Sequence, residues 1–219
     1  MATIMTGQVF ADKAKAVTQN RKTLYVWGGF GAPLNAQNKA RYTGPNAAEY
    51  NRRPERTAKI QAADPDCYAV DCVGLLKMLL WGWNGDLSRV YGGAVYQANG
   101  VPDINANQMI ERCSGVKTSF DLSTMLPGEA VWKQGHIGIY IGDGLAVECT
   151  PVWADGVQIT ACNCDKAGFN RRNWTKHGKL PWLDYSAPAV TVTREKLEAI
   201  KAGAETLVNA IQNLLDGGG

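Results

Sequence analysis

Apolar positions repeat with two different periods along the chain, and the change between them falls near residue 126. Ahead of it the period is helical. From residue 5 to about 20, Val9, Phe10, Ala14 and Val17 lie near one face of an amphipathic helix. In Asp71-Cys72-Val73-Gly74-Leu75-Leu76-Lys77-Met78-Leu79-Leu80-Trp81 the leucines recur at helix spacing with few polar positions between them. That predicts a buried helix with Asp71 as its N-cap. A shorter helix is expected near Ala106 to Cys113. Between the first two helices, Leu24-Tyr25-Val26-Trp27-Gly28-Gly29-Phe30-Gly31 is β-prone but broken by glycines. These let the backbone turn or approach a neighbour closely. Residues 35–66 are polar and read as irregular, with Arg41, Arg52, Arg53, Arg56 and Lys59 set among Tyr42 and Tyr50. They form either a solvated surface excursion or a basic, aromatic-lined wall of a groove.

From Leu126 onward the period is two. Pro127-Gly128 is a turn, and Ala130-Val131-Trp132 a short strand. In Gly135-His136-Ile137-Gly138-Ile139-Tyr140-Ile141-Gly142 the isoleucines point one way, and His136, Gly138 and Tyr140 the other. Asp143-Gly144 marks a hairpin, and Leu145 to Thr150 returns as its partner strand. Residues 156–160 form another strand, and Trp174 to Trp182 a last polar and aromatic piece.

Pro188 marks a boundary. Beyond it Leu197, Ile200, Ala204, Leu207, Ile211 and Leu214 are spaced 3, 4, 3, 4, 3, a heptad seam. The expected organisation is a main domain over residues 1–185, a linker over 186–193 and a helix over 194–219. An apolar seam needs covering. Self-association through Leu197, Ile200, Leu207, Ile211 and Leu214 is therefore expected, unless the segment folds back or joins a further domain.

Composition narrows the function classes. A chain of 219 residues with 45% hydrophobic residues can form one sizeable domain and an appendage. A net charge of +3 makes no case for nucleic acid. No apolar run is long enough to span a membrane. Met1 to Phe10 lacks the basic start and apolar core of a secretory signal, so synthesis in a reducing cytoplasm is expected. The six cysteines form no compact disulfide framework and are expected to be mostly free thiols. Cys162-Asn163-Cys164 is a single C-x-C without a second pair, so no metal and no cofactor is expected.

The chemistry-bearing residues are few. Cys72 falls in the first turn of the predicted helix, where the dipole and unpaired N–H groups favour a thiolate. A thiol nucleophile needs a base, and the chain has only 2 histidines. His136 starts a strand and shares its face with Gly138, whose missing side chain leaves room for a helix or substrate. His177 lies in a polar, surface-like context. Glu148 follows His136 by twelve positions. A three-residue loop, Gly142-Asp143-Gly144, places Gly138 opposite Glu148 and brings Glu148 diagonally to His136 on one face. A two-residue loop sends them to opposite faces.

Four linked motifs carry a resemblance. Tyr25-Val26-Trp27-Gly28-Gly29, Asp71-Cys72-Val73-Gly74-Leu75, Leu126-Pro127-Gly128-Glu129-Ala130 and Gly135-His136-Ile137-Gly138-Ile139-Tyr140-Ile141-Gly142, with Glu148 beyond, resemble the NlpC-type cysteine peptidases, papain-like bacterial and phage cell-wall hydrolases. The resemblance covers about residues 5–185. It implies an α+β fold in which the nucleophile helix packs on a central antiparallel sheet. It implies Cys72, His136 and Glu148 as catalytic residues, and Tyr25, Trp27, Asp71 and Val73 as substrate-binding ones. The partner it implies is peptidoglycan, cleaved in its stem peptide by a phage-type endolysin that reaches the wall after release from the cytoplasm. The D-glutamyl–diamino acid bond is favoured over the muramoyl–L-alanine amide. The family often has serine where this chain has Val73, and histidine where it has Glu148. A non-catalytic wall-binding module and an intracellular papain-like transferase or deamidase are the readings from other classes.

Overall fold

Asp71 follows a strand and caps a helix, and the fold is built around that junction. The computed structural model describes residues 4–186 and 194–216. By contacts the chain divides into residues 1–185 and 186–219. The expected linker lies, from residue 187 on, outside the described residues, as do Gly217 to Gly219.

The first unit is mixed α+β. It opens with α1 (Gly7–Asn20), capped by the Thr6 side chain. Then come β1 (Thr23–Tyr25) and β2 (Phe30–Pro33). Three helices follow: α2 (Ala36–Thr43), α3 (Glu49–Arg52) and α4 (Pro54–Ala62). β3 (Tyr68–Val70) runs into α5 (Cys72–Leu80), and α6 (Ala106–Arg112) comes after a long loop. The remaining strands are β4 (Ser114–Lys117), β5 (Ala130–Lys133), β6 (His136–Gly142), β7 (Leu145–Thr150), β8 (Gly156–Cys162), β9 (Arg171–Arg172) and β10 (Lys176–Lys179). They make one sheet in the order β4-β10-β5-β6-β7-β8-β9, antiparallel except for the β8–β9 pair. A small sheet, β1-β3-β2, carries the chain to Asp71.

Both α1 and α5 bury their apolar faces against the large sheet. Phe10, Ala14 and Val17 join Leu75, Leu76 and Met78 in one cluster with Ile137, Ile139, Ile141 and Val147. Non-directional burial of this kind is the main stabilising term. Tyr140 packs on the other face with Val131 and Trp174, so the period-two alternation of β6 is observed. Val9 departs from expectation: it is 45% exposed, and Ala11 takes its place in the core.

The β6–β7 register pairs Gly138 with Glu148, as expected, but by another route. Gly142 pairs with Leu145, so the turn is the two residues Asp143 and Gly144, at φ 52 and 69. Positive φ at both positions suits the tight turn that follows strand twist. A bulge between Tyr140 and Gly142 then adds one residue to β6 and restores the face.

Residues 35–66 are not irregular. They hold α2, α3 and α4, which bury Asn38, Tyr42, Asn51, Arg56 and Ile60. Tyr42 and Ile60 share a small core with Val26, Leu34 and Ala69. Arg56 is buried, donates to the carbonyl of Tyr25, and pairs with Asp155 at 2.7 Å. His177 also departs from its surface-like context. It is 3% exposed, shares a 2.5 Å hydrogen bond with Glu129, and lies 3.1 Å from the Ser119 carbonyl oxygen.

All six cysteines are free thiols. The second unit contains α7 (Arg194–Asp216), on which Leu207 and Ile211 of the heptad seam are exposed. The side chains of Leu197, Ile200 and Leu214 lie outside the described residues. Among the described residues, no helix is long and apolar enough to cross a membrane.

Candidate functional site

Asp71 organises the first turn of α5. Its Oδ1 accepts the Gly74 N–H at 2.6 Å, and its Oδ2 the Gly28 N–H at 2.7 Å. Its own N–H donates to the Gly29 carbonyl at 2.9 Å. Burial raises the Asp71 pKa, against the pull of the Gly74 N–H and of Lys77. The glycines are required by close approach: a Cβ at Gly74 would sit 1.8 Å from the Gly29 oxygen. One at Gly29 would sit 2.7 Å from the Ala69 carbonyl. The Tyr25-to-Gly29 segment therefore lies flat on the start of α5. Asn51 clamps it from α3, bonding the Trp27 N–H and carbonyl at 2.9 Å each.

Cys72 opens α5 and is 7% exposed. Burial, then the neighbouring Asp71 charge, pushes its thiol up to about 12. Favourable interaction with the backbone N–H groups around the start of α5 and of Ile137 pulls the other way. The helix-start donors are thus in place, yet desolvation outweighs them, contrary to the expectation of a favoured thiolate. Tyr25 lines the same cleft, and burial followed by the Cys72 charge pushes its hydroxyl up too.

One residue along β6 from the Ile137 N–H stands His136. Its Nε2 meets Glu148 Oε2 at 2.6 Å. Glu148 is 0% exposed and holds a dense set of donors. Thr160 Oγ1 donates to Oε1 at 2.8 Å. Arg172 Nε reaches both oxygens at 3.0 Å, and its Nη2 reaches Oε2 at 2.8 Å. Burial would raise the Glu148 pKa, but the hydrogen bonds from His136 and Arg172 outweigh it and hold the carboxyl below the usual range. An ionised carboxylate only accepts, so His136 Nε2 carries the proton toward it. In the neutral ring Nδ1 is then the basic nitrogen. The imidazole also stacks on Trp174, centroids 5.3 Å apart and planes 6° apart. Trp174 occupies the space beside Gly138, where a Cβ would meet its ring at 3.1 Å. The missing side chain therefore makes room for this indole rather than for a helix or substrate.

Tyr25, Trp27, Asp71, Cys72 and Val73 line one cleft of about 460 Å³. Its other end carries Lys77 and Asp103, paired at 2.5 Å, and the start of α6. Asn107 accepts the Gly135 N–H at 2.9 Å and so fixes the turn just before His136. Among the described residues no hydrogen bond joins Cys72 to His136; Cys72 shares its buried cluster with Ile137, the neighbour of His136 on β6. Catalytic hydrogen bonds commonly tighten only when substrate is bound.

Sequence reasoning missed Arg172, Thr160 and Trp174. One signal existed: Glu148 between Val147 and Cys149 is a strand carboxylate with apolar neighbours, and a buried carboxylate demands a cation. Nothing in the spacing says which of the arginines supplies it. Among the described residues, no three His, Cys, Asp or Glu side chains gather as metal ligands would.

No protein-family model matches the chain, and no curated protein matches it. Among solved structures, the P60 domain of an antigen from M. avium subspecies paratuberculosis is similar to 82% of this chain and 98% of that one. The identity is 15% and the TM-score 0.42. The functional reading stands on the geometry of the chain's own residues.

Proposed function

We propose that the protein is a thiol hydrolase that cuts an amide bond in the stem peptide of bacterial peptidoglycan. One observation carries the chemistry: an imidazole fixed through Nε2 by a buried carboxylate, at the start of the strand whose apolar face packs on the helix that the cleft-lining Cys72 opens. The choice of peptidoglycan comes from the four sequence motifs.

In the proposed reaction His136 Nδ1 takes the proton of the Cys72 thiol as the sulfur attacks the amide carbon. The C–N bond breaks, and the imidazolium gives its proton to the leaving amine. Water, activated by the same nitrogen, then hydrolyses the thioester and frees Cys72. A thiol pushed up to about 12 makes this transfer concerted with attack rather than a pre-formed ion pair. Glu148 orients the ring throughout. The Cys72 backbone N–H is the proposed oxyanion donor. Asp71 shapes the substrate-binding wall by holding Gly28 and Gly74, while Tyr25, Trp27 and Val73 present its surface.

The favoured bond is D-glutamyl–diamino acid. The favoured setting is an endolysin acting on the wall after release, self-associated through the α7 seam. Mass spectrometry of fragments released from purified cell walls tests bond and substrate together. New amino termini on the diamino acid support this reading. Release of intact stem peptides from muramic acid would replace it with an amidase, and inert walls would refute it.

A further inference from the structure

We infer that Arg172 is a positioning residue: it balances the charge of Glu148, so that the carboxylate orients His136 without locking a proton onto it. The inference rests on the proposed role of His136 as base.

A buried carboxylate in contact with an imidazole favours the imidazolium. Unit charges about 4 Å apart, at an effective dielectric near 20, shift a titration by roughly two to three units. An imidazole locked in its charged form cannot take a proton from Cys72. Serine or asparagine in place of Glu148 would avoid the difficulty, and this chain has the charged group instead. Arg172 supplies the answer from β9. Its guanidinium spans both oxygens of the carboxylate that His136 contacts, at 2.8–3.0 Å. It is itself fixed from above by Trp153, whose ring lies 4.5 Å from its Cζ, and its Nη2 lies 3.4 Å from Thr150 Oγ1. Cation and anion are both largely out of water, with side chains 14% and 0% exposed. Their mutual cancellation is therefore little screened.

Other groups facing His136 do not provide that balance. From β5, Lys133 is its cross-strand partner, but it is only half-buried and pairs through the backbone register. The other titratable groups of the neighbouring elements are Cys72 of α5, Tyr25 in the same cleft and Cys149 of β7, whose thiol turns away to the Val70 carbonyl; burial pushes all three up, so they are neutral. Trp174 and Thr160 carry no charge. Arg172 is the cation that touches the carboxylate.

The test is an NMR titration of the histidine C2–H resonances, which is simple because the chain has only 2 histidines. His136→Asn assigns the signals. In Arg172→Gln the His136 midpoint is expected to rise by about one unit or more, from the uncompensated charge. Arg172→Lys keeps the charge, and the midpoint should stay within a few tenths of wild type. The acidic limb of kcat/KM for wall peptides should move upward with the NMR midpoint. A His136 midpoint that stays put or falls in Arg172→Gln overturns the inference. So does an equal rise in Arg172→Lys, which would make geometry and not charge the cause. The NMR measurement uses no substrate. Inert walls would therefore sink the proposed function alone, and an unmoved midpoint would sink this inference alone.

Discussion

Replacing Glu148 by glutamine removes one charge and leaves the shape almost unchanged. The wild-type carboxylate is fully buried and serves His136 at 2.6 Å, Thr160 at 2.8 Å and Arg172 at 2.8–3.0 Å. Glutamine offers one acceptor and one N–H₂ group to the same set of donors. The Arg172 cation, 14% exposed, then loses its counter-charge inside the protein. Breaking a buried pair in this way costs about 3–5 kcal/mol. For a domain of this size that is roughly 6–20 °C in Tm. The cost depends on pH with a definite sign. The folded pKa of Glu148 is lowered from the ordinary 4.5, so its stabilisation is fully present above 4.5 and is lost as pH falls through the folded value. Urea unfolding followed by tryptophan fluorescence at neutral and acid pH measures both effects. Glu148→Gln should be less stable by the full amount at neutral pH, and the gap should narrow once wild-type Glu148 takes up its proton. A gap under about 1 kcal/mol at neutral pH, or one that does not change with pH, would refute the reasoning.

Three further outcomes are expected. Alkylation of Cys72 in the folded protein should be slow near neutrality and accelerate as pH approaches about 12, because burial raises that thiol; a titration complete near neutrality, read by peptide mass spectrometry, would mean that a thiolate–imidazolium pair already exists at rest. Gly74→Ala puts a Cβ 1.8 Å from the Gly29 oxygen, so the Tyr25-to-Gly29 segment must lift from α5, at a cost of about 1–3 kcal/mol or more and with loss of activity; unchanged urea midpoints would show that the approach is less tight. Sedimentation at micromolar concentration should show self-association that Leu207→Glu with Ile211→Glu abolishes, since both side chains are exposed on α7; a wild-type monomer would end the association proposal.

What the sequence discloses depends on which interactions are periodic. α5 and the β6–β7 hairpin were legible because burial on one face writes a repeat into the chain. The hairpin also shows the limit. The Gly138–Glu148 pairing follows from a two-residue turn and a bulge, whose offsets cancel, and a bulge leaves no sign in a hydrophobic pattern. Residues 35–66 were opaque for a different reason. Their helices are 8, 4 and 9 residues long and bury at most one apolar side chain each, too few to reveal a period. His177 and Arg172 were misread or missed because a buried charge is recognised by its partner. Those partners, Glu129 and Glu148, lie 48 and 24 positions away.

The central claim is that Cys72 performs acyl transfer with His136. It is tested most directly by the release of new amino groups from purified cell walls by the wild type, Cys72→Ala and His136→Ala, each checked for an unchanged fold by circular dichroism. The account predicts steady release by the wild type and a loss of at least about 1,000-fold in either variant, since removing a nucleophile or its base leaves only residual binding effects. Walls cleaved by Cys72→Ala at the wild-type rate would contradict it.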